Sequence, residues 1–179
     1  MAEIVIRPER PADEEAVARL HREAFDGPGE AELVGRLRQG GLVAVSLIAE
    51  EDGEIVGHIL LSWLKAEIGG EPLYALALAP MAVAPARQRR GIGSALVEAS
   101  IDAAREIGAD VILVLGHKYF YPRFGFSSQK GAIFDNPFNS DAFMALELGP
   151  GALCYAQGSV TYPPAFGLGD ANELPRSAR

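Results

Sequence analysis

Cysteine is nearly missing: Cys154 stands alone among 179 residues. No internal disulfide can form, and nothing points to an oxidising compartment. With so few histidines, three in all and widely scattered, no metal-ligand spacing arises and no Cys-His pair supports a thiol nucleophile. No apolar run approaches the length of a membrane span. Met1 to Arg10 carries charge where a signal peptide carries an apolar core, so a cytoplasmic protein with no membrane partner is expected. Positive charge is the scarcer sign, 16 Lys and Arg against 24 Asp and Glu for a formal net charge of −8. That balance speaks against a broad nucleic-acid surface and is compatible with a cationic acceptor such as an amine. A Gly-Lys-Ser/Thr phosphate loop is absent, and no internal repeat is visible.

What is present suits one globular domain, with 49% hydrophobic and 22% charged residues and enough chain to bury a core. Glu3 to Pro8 reads as an edge strand. Two short helices follow, from Asp13 to Phe25 and from Glu30 to Arg38, broken by Gly27-Pro28-Gly29 and ended by Gly40-Gly41. Leu42 to Glu50, Ile55 to Leu64 and Leu73 to Val83 read as three antiparallel strands in series, joined by polar, glycine-containing breaks. Pro80 cannot donate to a ladder, so the third of these strands is expected to bulge or splay there. A long helix follows near Gly91, with Leu96, Ala99, Ala103 and Ile107 expected on its inner face. Asp110 to Leu115 then reads as a buried parallel strand. Ala142 to Leu148 and Gly158 to Pro163 read as two last strands, after a loop from Ser128 to Asp141.

The chain is organised around Met81 to Leu96, where an apolar strand meets an amphipathic helix through a basic turn. Gly91 and Gly93 let the backbone come close to a ligand. The first amides of the helix lack internal partners and sit at the positive end of its dipole, which suits a diphosphate. Arg87, Arg89 and Arg90 add charge to the same turn. A Rossmann turn fits less well, because Leu96 stands where its third small residue belongs and Asp110 precedes the next strand instead of closing it.

Gln88-Arg89-Arg90-Gly91-Ile92-Gly93 resembles the Gln/Arg-x-x-Gly-x-Gly/Ala signature of the GNAT acetyltransferases, and Met81 to Pro85 resembles that family's splayed cofactor strand. Phe120-Tyr121 with Phe124-Gly125-Phe126 resembles its Phe-Tyr-x-x-x-Gly-Phe segment. The final strands, through Tyr162 to Phe166, are similar to those of a bacterial subgroup of predicted N-acetyltransferases, so the resemblance covers nearly the whole chain. Many relatives carry an asparagine at the end of the fifth strand and a longer helix before the tyrosine. Leu115-Gly116-His117 and Pro122 stand in those places here.

The resemblance implies an α/β (α+β) GNAT fold, a mixed sheet of about seven strands splayed between strands 4 and 5 and flanked by about four helices. It implies a single domain over 1–167, with 168–179 as a polar tail. It implies acetyl-CoA as cosubstrate, no metal and an amine acceptor; domains of this family often pair through their terminal strands, so a homodimer and a monomer both stay open. In the family's pattern, Met81, Ala82 and Val83 would polarise the thioester carbonyl. Gln88, Arg89, Arg90, Gly91, Ile92, Gly93 and Ser94 would anchor the diphosphate. Tyr121, with Tyr119 as the fallback, would protonate the sulfur. The strand from Leu73 to Val83 has no interior acid to act as base, so Glu30, Glu32, His58 and His117 are the candidates. His58 also reads as a packed or hydrogen-bonded strand histidine. Two other readings stand beside the N-acetyltransferase: a non-catalytic acyl-CoA sensor on the same fold, and a module whose basic turn binds another phosphate ligand.

Overall fold

The computed structural model describes residues 3–138, 140–154 and 157–168. The polar tail expected from residue 168 lies, beyond Leu168, outside the described residues. Strand β1 (Ile4–Pro8) precedes helices α1 (Glu14–Phe25) and α2 (Gly29–Gln39), followed by β2 (Val43–Glu51), β3 (Glu54–Ile68) and β4 (Glu71–Val83). Helix α3 (Ile92–Glu106) leads to β5 (Val111–Leu115). A short α4 (Ser128–Gly131), β6 (Phe134–Asp135), β7 (Phe143–Glu147) and β8 (Gly158–Thr161) complete the chain.

The strands form one mixed sheet in the order β1-β2-β3-β4-β5-β7, with β8 paired to the far end of β3 and to β6. Both hairpin turns follow from local chemistry. Asp52 and Gly53 take φ of 51° and 80°, Gly69 and Gly70 take 58° and 83°, and two central residues at positive φ match the twist of antiparallel strands. Strand β4 runs antiparallel to β3 but parallel to β5, so the chain must cross over between β4 and β5, and α3 makes that crossing.

Each sheet face carries its own core. Helix α3 lies on one face, where Ile92, Leu96, Val97 and Ile101 pack against Leu47, Ala49, Ile59, Leu61, Leu76 and Ile112. On the other, Leu33, Val34 and Leu37 of α2 pack against Leu60, Leu64, Ala75, Ala77 and Leu113, and α1 lies over β3 and β4. Gly57 lets α3 approach closely, since a Cβ there would stand 2.9 Å from Leu96 Cδ1 and 3.0 Å from Ile92 Cγ2.

Two expectations need correction. The buried stripe of α3 is Ile92, Leu96, Val97, Ser100, Ile101 and Ala104. Ala99 and Ala103 only flank the core, and Ile107, beyond the helix, is 44% exposed. The helix is rotated because Ile92 and Ile101 bury more apolar surface than two alanines would. The segment from Ser128 to Asp141 is also not a plain loop, since it contains α4 and β6. Ser127 caps α4 by accepting from the Lys130 amide, and Phe134 is buried.

Candidate active site

The site begins where two strands part. β4 pairs with β5 only from Ala75 to Ala77, opposite Val111 to Leu113. Beyond Ala77, β4 continues along β3 with no β5 partner among the described residues. The β3–β4 register shifts between Ile59, opposite Met81, and Leu61, opposite Leu78. Ala79 and Pro80 fall in that shift, so the extra backbone bulges and the strand bends away at the residue that has no N–H to give. The splay expected from Pro80 is therefore present.

At the end of this open edge the chain enters the basic turn. Arg89 takes φ of 60° and Gly91 takes 84°, a left-handed conformation that glycine adopts without strain. The Gln88 side-chain amide donates to the Val83 carbonyl at 3.2 Å and ties the turn back to β4. Among the described residues, no backbone N–H from Gln88 to Ser94 donates to protein; the first helical bond in α3 is Ala95 N–H to Gly91 O at 3.0 Å. These amides stand at the positive end of the α3 dipole.

Two of the three arginines that the sequence puts at the turn share one carboxylate. Glu51, buried at the end of β2, binds Arg87 Nε and also Arg90 Nη2, the latter at 2.7 Å. Hydrogen bonds from Arg90 and then Arg87 hold its carboxyl below the usual range. Arg89 makes no such pair among the described residues. A fourth arginine, not anticipated from the sequence, joins the turn. Arg123 donates to Ser94 Oγ at 2.8 Å and lies over the rings of Phe120 and Phe124, 5.1 and 5.5 Å from their centroids.

The aromatic segment after β5 closes the same corner. A Cβ at Gly93 would stand 3.7 Å from Phe120 and 3.8 Å from both Met81 and Val83, so the helix start, the end of β4 and the aromatic segment converge there. Tyr121 is buried, and its ring meets Phe120 and Phe126 edge-on at 5.1 and 5.5 Å. Burial pushes its hydroxyl above the ordinary tyrosine range, which keeps the proton on. Among the described residues that hydroxyl has no hydrogen-bond partner. Tyr119 is 84% exposed.

The other expected site residues scatter. Alternation along β4 turns Ala82 to the face opposite Met81 and Val83, where it stands across from His58. Ile92 is buried in the core, so it can offer a ligand only its backbone. Glu30 is half-buried, while Glu32 is exposed and pairs with Arg36 at 3.8 Å. His117 is exposed, and Cys154 is an exposed loop residue. His58 is fully buried and bonded to His21 and Ser46, each at 2.8 Å. Asp135, Asn136 and Pro137 border an open pocket of about 330 Å³ facing Val160 to Tyr162.

Glu51 and Arg123 were missed because each acts across a long sequence separation, leaving no local pattern. Within the described residues no helix is long and apolar enough to cross a membrane.

Known proteins share the sequence pattern and the fold. A family model described as an acetyltransferase (GNAT) domain matches residues 43–128, the span from β2 through the turn to the aromatic segment. The Escherichia coli K12 protein named uncharacterized N-acetyltransferase YhbS is 32% identical over 168 residues, covering 91% of this chain and 98% of that one. The crystal structure of E. coli YhbS in complex with CoA matches with a TM-score of 0.84 at 29% identity over 93% of each chain. A GNAT family acetyltransferase from Brucella melitensis, solved in complex with acetyl-CoA, matches with a TM-score of 0.75 at 34% identity, covering 93% of this chain and 99% of that one. With a splayed β4–β5 pair, a glycine turn of unpaired amides and near-complete coverage of these relatives, the chain belongs to the GNAT acetyltransferase family.

Proposed function

We propose that the chain transfers the acetyl group of acetyl-CoA to a primary amine, on a small molecule or a protein, by direct attack in the gap between β4 and β5. The observation that carries this reading is the run of unpartnered amides from Gln88 to Ser94 at the end of an opened strand edge. Unpaired donors there would be costly unless water or an anionic ligand satisfied them. A diphosphate fits, and the complexes of the E. coli and Brucella relatives support CoA as its carrier.

Each chain element then has a task. The turn amides and Arg89 hold the diphosphate, and Glu51 keeps Arg87 and Arg90 fixed at either side. The free edge of β4 at Met81 to Val83 offers backbone donors to the carbonyl oxygen, where negative charge builds during attack. The walls of the gap align amine and thioester, replacing a chance encounter. Tyr121, uncharged through burial, donates its proton to the departing sulfur. The catalytic unit on this reading is residues 1–167.

Three measurements test it. Calorimetry should show acetyl-CoA binding and no comparable binding of ATP, and CoA release should rise with at least one member of an amine panel. Tyr121→Phe should lower kcat by roughly 10²-fold or more with little change in acetyl-CoA affinity. Unchanged turnover removes Tyr121 from the role of acid, and failure to bind acetyl-CoA at millimolar concentration removes the whole reading.

A further inference from the structure

Four arginines gather at the start of α3, and Glu51 neutralises part of that charge by binding Arg87 and Arg90. Arg89 and Arg123 pair with no carboxylate among the described residues, so the uncompensated charge stands on them. Arg89 is exposed on the turn itself. Arg123 arrives from a different part of the chain, beyond β5, and donates to Ser94 Oγ at 2.8 Å.

Local geometry delivers it there. Tyr121–Phe124 forms a short 3₁₀ turn, in which the Arg123 amide donates to the Phe120 carbonyl at 3.3 Å and residues three apart stand one above the other. The Arg123 guanidinium therefore lies over the Phe120 ring, 5.1 Å from its centroid, and it also covers Phe124 at 5.5 Å. Phe120 in turn packs beside Gly93, where an added Cβ would meet its ring at 3.7 Å. A cation on aromatic faces is attracted to them, so two rings and one hydroxyl hold a long side chain in place before any ligand arrives.

The hydroxyl that Arg123 meets belongs to the first turn of α3, whose amides donate to no protein group among the described residues. Because Ser94 Oγ accepts from Arg123, its own hydrogen turns away from the guanidinium, and among the described residues it has no acceptor. A guanidinium carries five N–H donors, and here the rest bond to nothing among the described residues. An anion seated on the Ser94 amide would thus find a hydroxyl hydrogen on the same residue. One hydrogen bond further lies a planar fork suited to phosphate oxygens.

We infer that Arg123, together with the Ser94 hydroxyl that it orients, is a second arm of the diphosphate site and selects an acyl carrier with two linked phosphates over one with a single phosphate. This rests on the proposed function. Arg89 is borne near one end of the run from Gln88 to Ser94, and Arg123 docks at the other end. Two free cations at the two ends of one row of amides match two joined phosphates, each with its own charge. Glu51 sharpens the match, since by holding Arg87 and Arg90 it leaves the work of charge recognition to Arg89 and Arg123.

Calorimetry with three carriers tests it: acetyl-CoA, its 3′-dephospho form, and S-acetyl-4′-phosphopantetheine, which has a single phosphate. Arg123→Gln should weaken acetyl-CoA and the dephospho form alike, each roughly tenfold or more, and leave the single-phosphate carrier close to the parent. A loss confined to acetyl-CoA would assign Arg123 to the 3′-phosphate, and an equal loss with all three would make its role structural; either overturns the inference, as does no loss at all. Ser94→Ala removes the docking oxygen and leaves the rings alone, so it stands in if Arg123→Gln fails to fold. It should weaken both two-phosphate carriers and spare the third, and unchanged binding there overturns the inference as well. A parent protein that binds neither acetyl-CoA nor its dephospho form overturns the proposed function itself, whereas a parent that binds both and a variant that binds both as tightly overturn the second arm alone.

Discussion

At Gly116 the absence of a methyl group decides where a tyrosine sits. A Cβ there would stand 2.4 Å from Tyr121 Cε2 and 3.0 Å from Cδ2, inside any real contact distance, so only glycine lets the ring lie against the end of β5. That gives a physical meaning to Leu115-Gly116-His117: the middle position is given up to make room for the aromatic ring. Gly116→Ala must therefore displace the Tyr121 ring, and with it the hydroxyl to which the proposed function gives the role of acid. Misplacement by about 1 Å can cost on the order of 10²-fold in rate, so kcat should fall strongly. The unpaired amides of Gln88 to Ser94 are untouched, so acetyl-CoA affinity by calorimetry should hold. Parallel losses in kcat and affinity would show that Gly116 shapes the gap itself and not the tyrosine.

Among the elements, α3 separates the demands of helix formation from those of ligand approach. Gly93 lies in its first turn, and glycine in a helix costs about 1 kcal/mol relative to alanine. Packing does not explain it, because an added Cβ would meet Phe120, Met81 and Val83 at 3.7–3.8 Å, ordinary contact. What a Cβ would disturb is the approach of a ligand to the amides. Gly93→Ala should thus raise the melting temperature or leave it unchanged, while weakening acetyl-CoA binding about tenfold, roughly 1.4 kcal/mol. Tighter or unchanged binding would mean that the amides of this turn do not hold the diphosphate.

The same scale shows what the sequence made legible. Asp52-Gly53 and Gly69-Gly70 mark their turns because both residues in each must take positive φ. Pro80 marks the bulge because it lacks a donor, and Gly91 marks the helix start. These are local constraints, and they placed β2 to β5, α3 and the turn between them. The inner face of α3 was misjudged because small alanines at helical spacing look apolar, whereas Ile92 and Ile101 gain more from burial. Helix α4 and β6 were missed because elements of four and two residues carry no periodicity. Glu51 with Arg87, and His21 with His58, lie 36 and 37 residues apart, and a pairing at that range exists only once the sheet has formed.

Over the whole molecule, ionisable groups are buried on both faces but in different states. Glu51, on the turn side, is held charged by two arginines. On the α1 face, burial chiefly, with His58 and Arg38 adding to it, pushes His21 down to about 3. Burial lowers His58 as well, against the pull of Glu9. An unfolded chain would protonate both rings near the ordinary histidine value of about 6.5. The folded protein binds fewer protons than the unfolded chain once pH drops below that value, so stability is full above it and is lost as pH falls toward 3. His21 alone sets a slope of up to about 1.4 kcal/mol per pH unit in that window. The paired carboxylates act lower. Asp13, held at about 2 by its hydrogen bond from Arg7, begins to cost stability only below the ordinary aspartate value near 4. Melting temperature between pH 6.5 and 4.5 should therefore fall in the parent, and less steeply in His21→Gln, which keeps a donor toward His58 but cannot titrate. Equal slopes would mean that the pair is already charged in the folded state, with His21 Nδ1 carrying a proton.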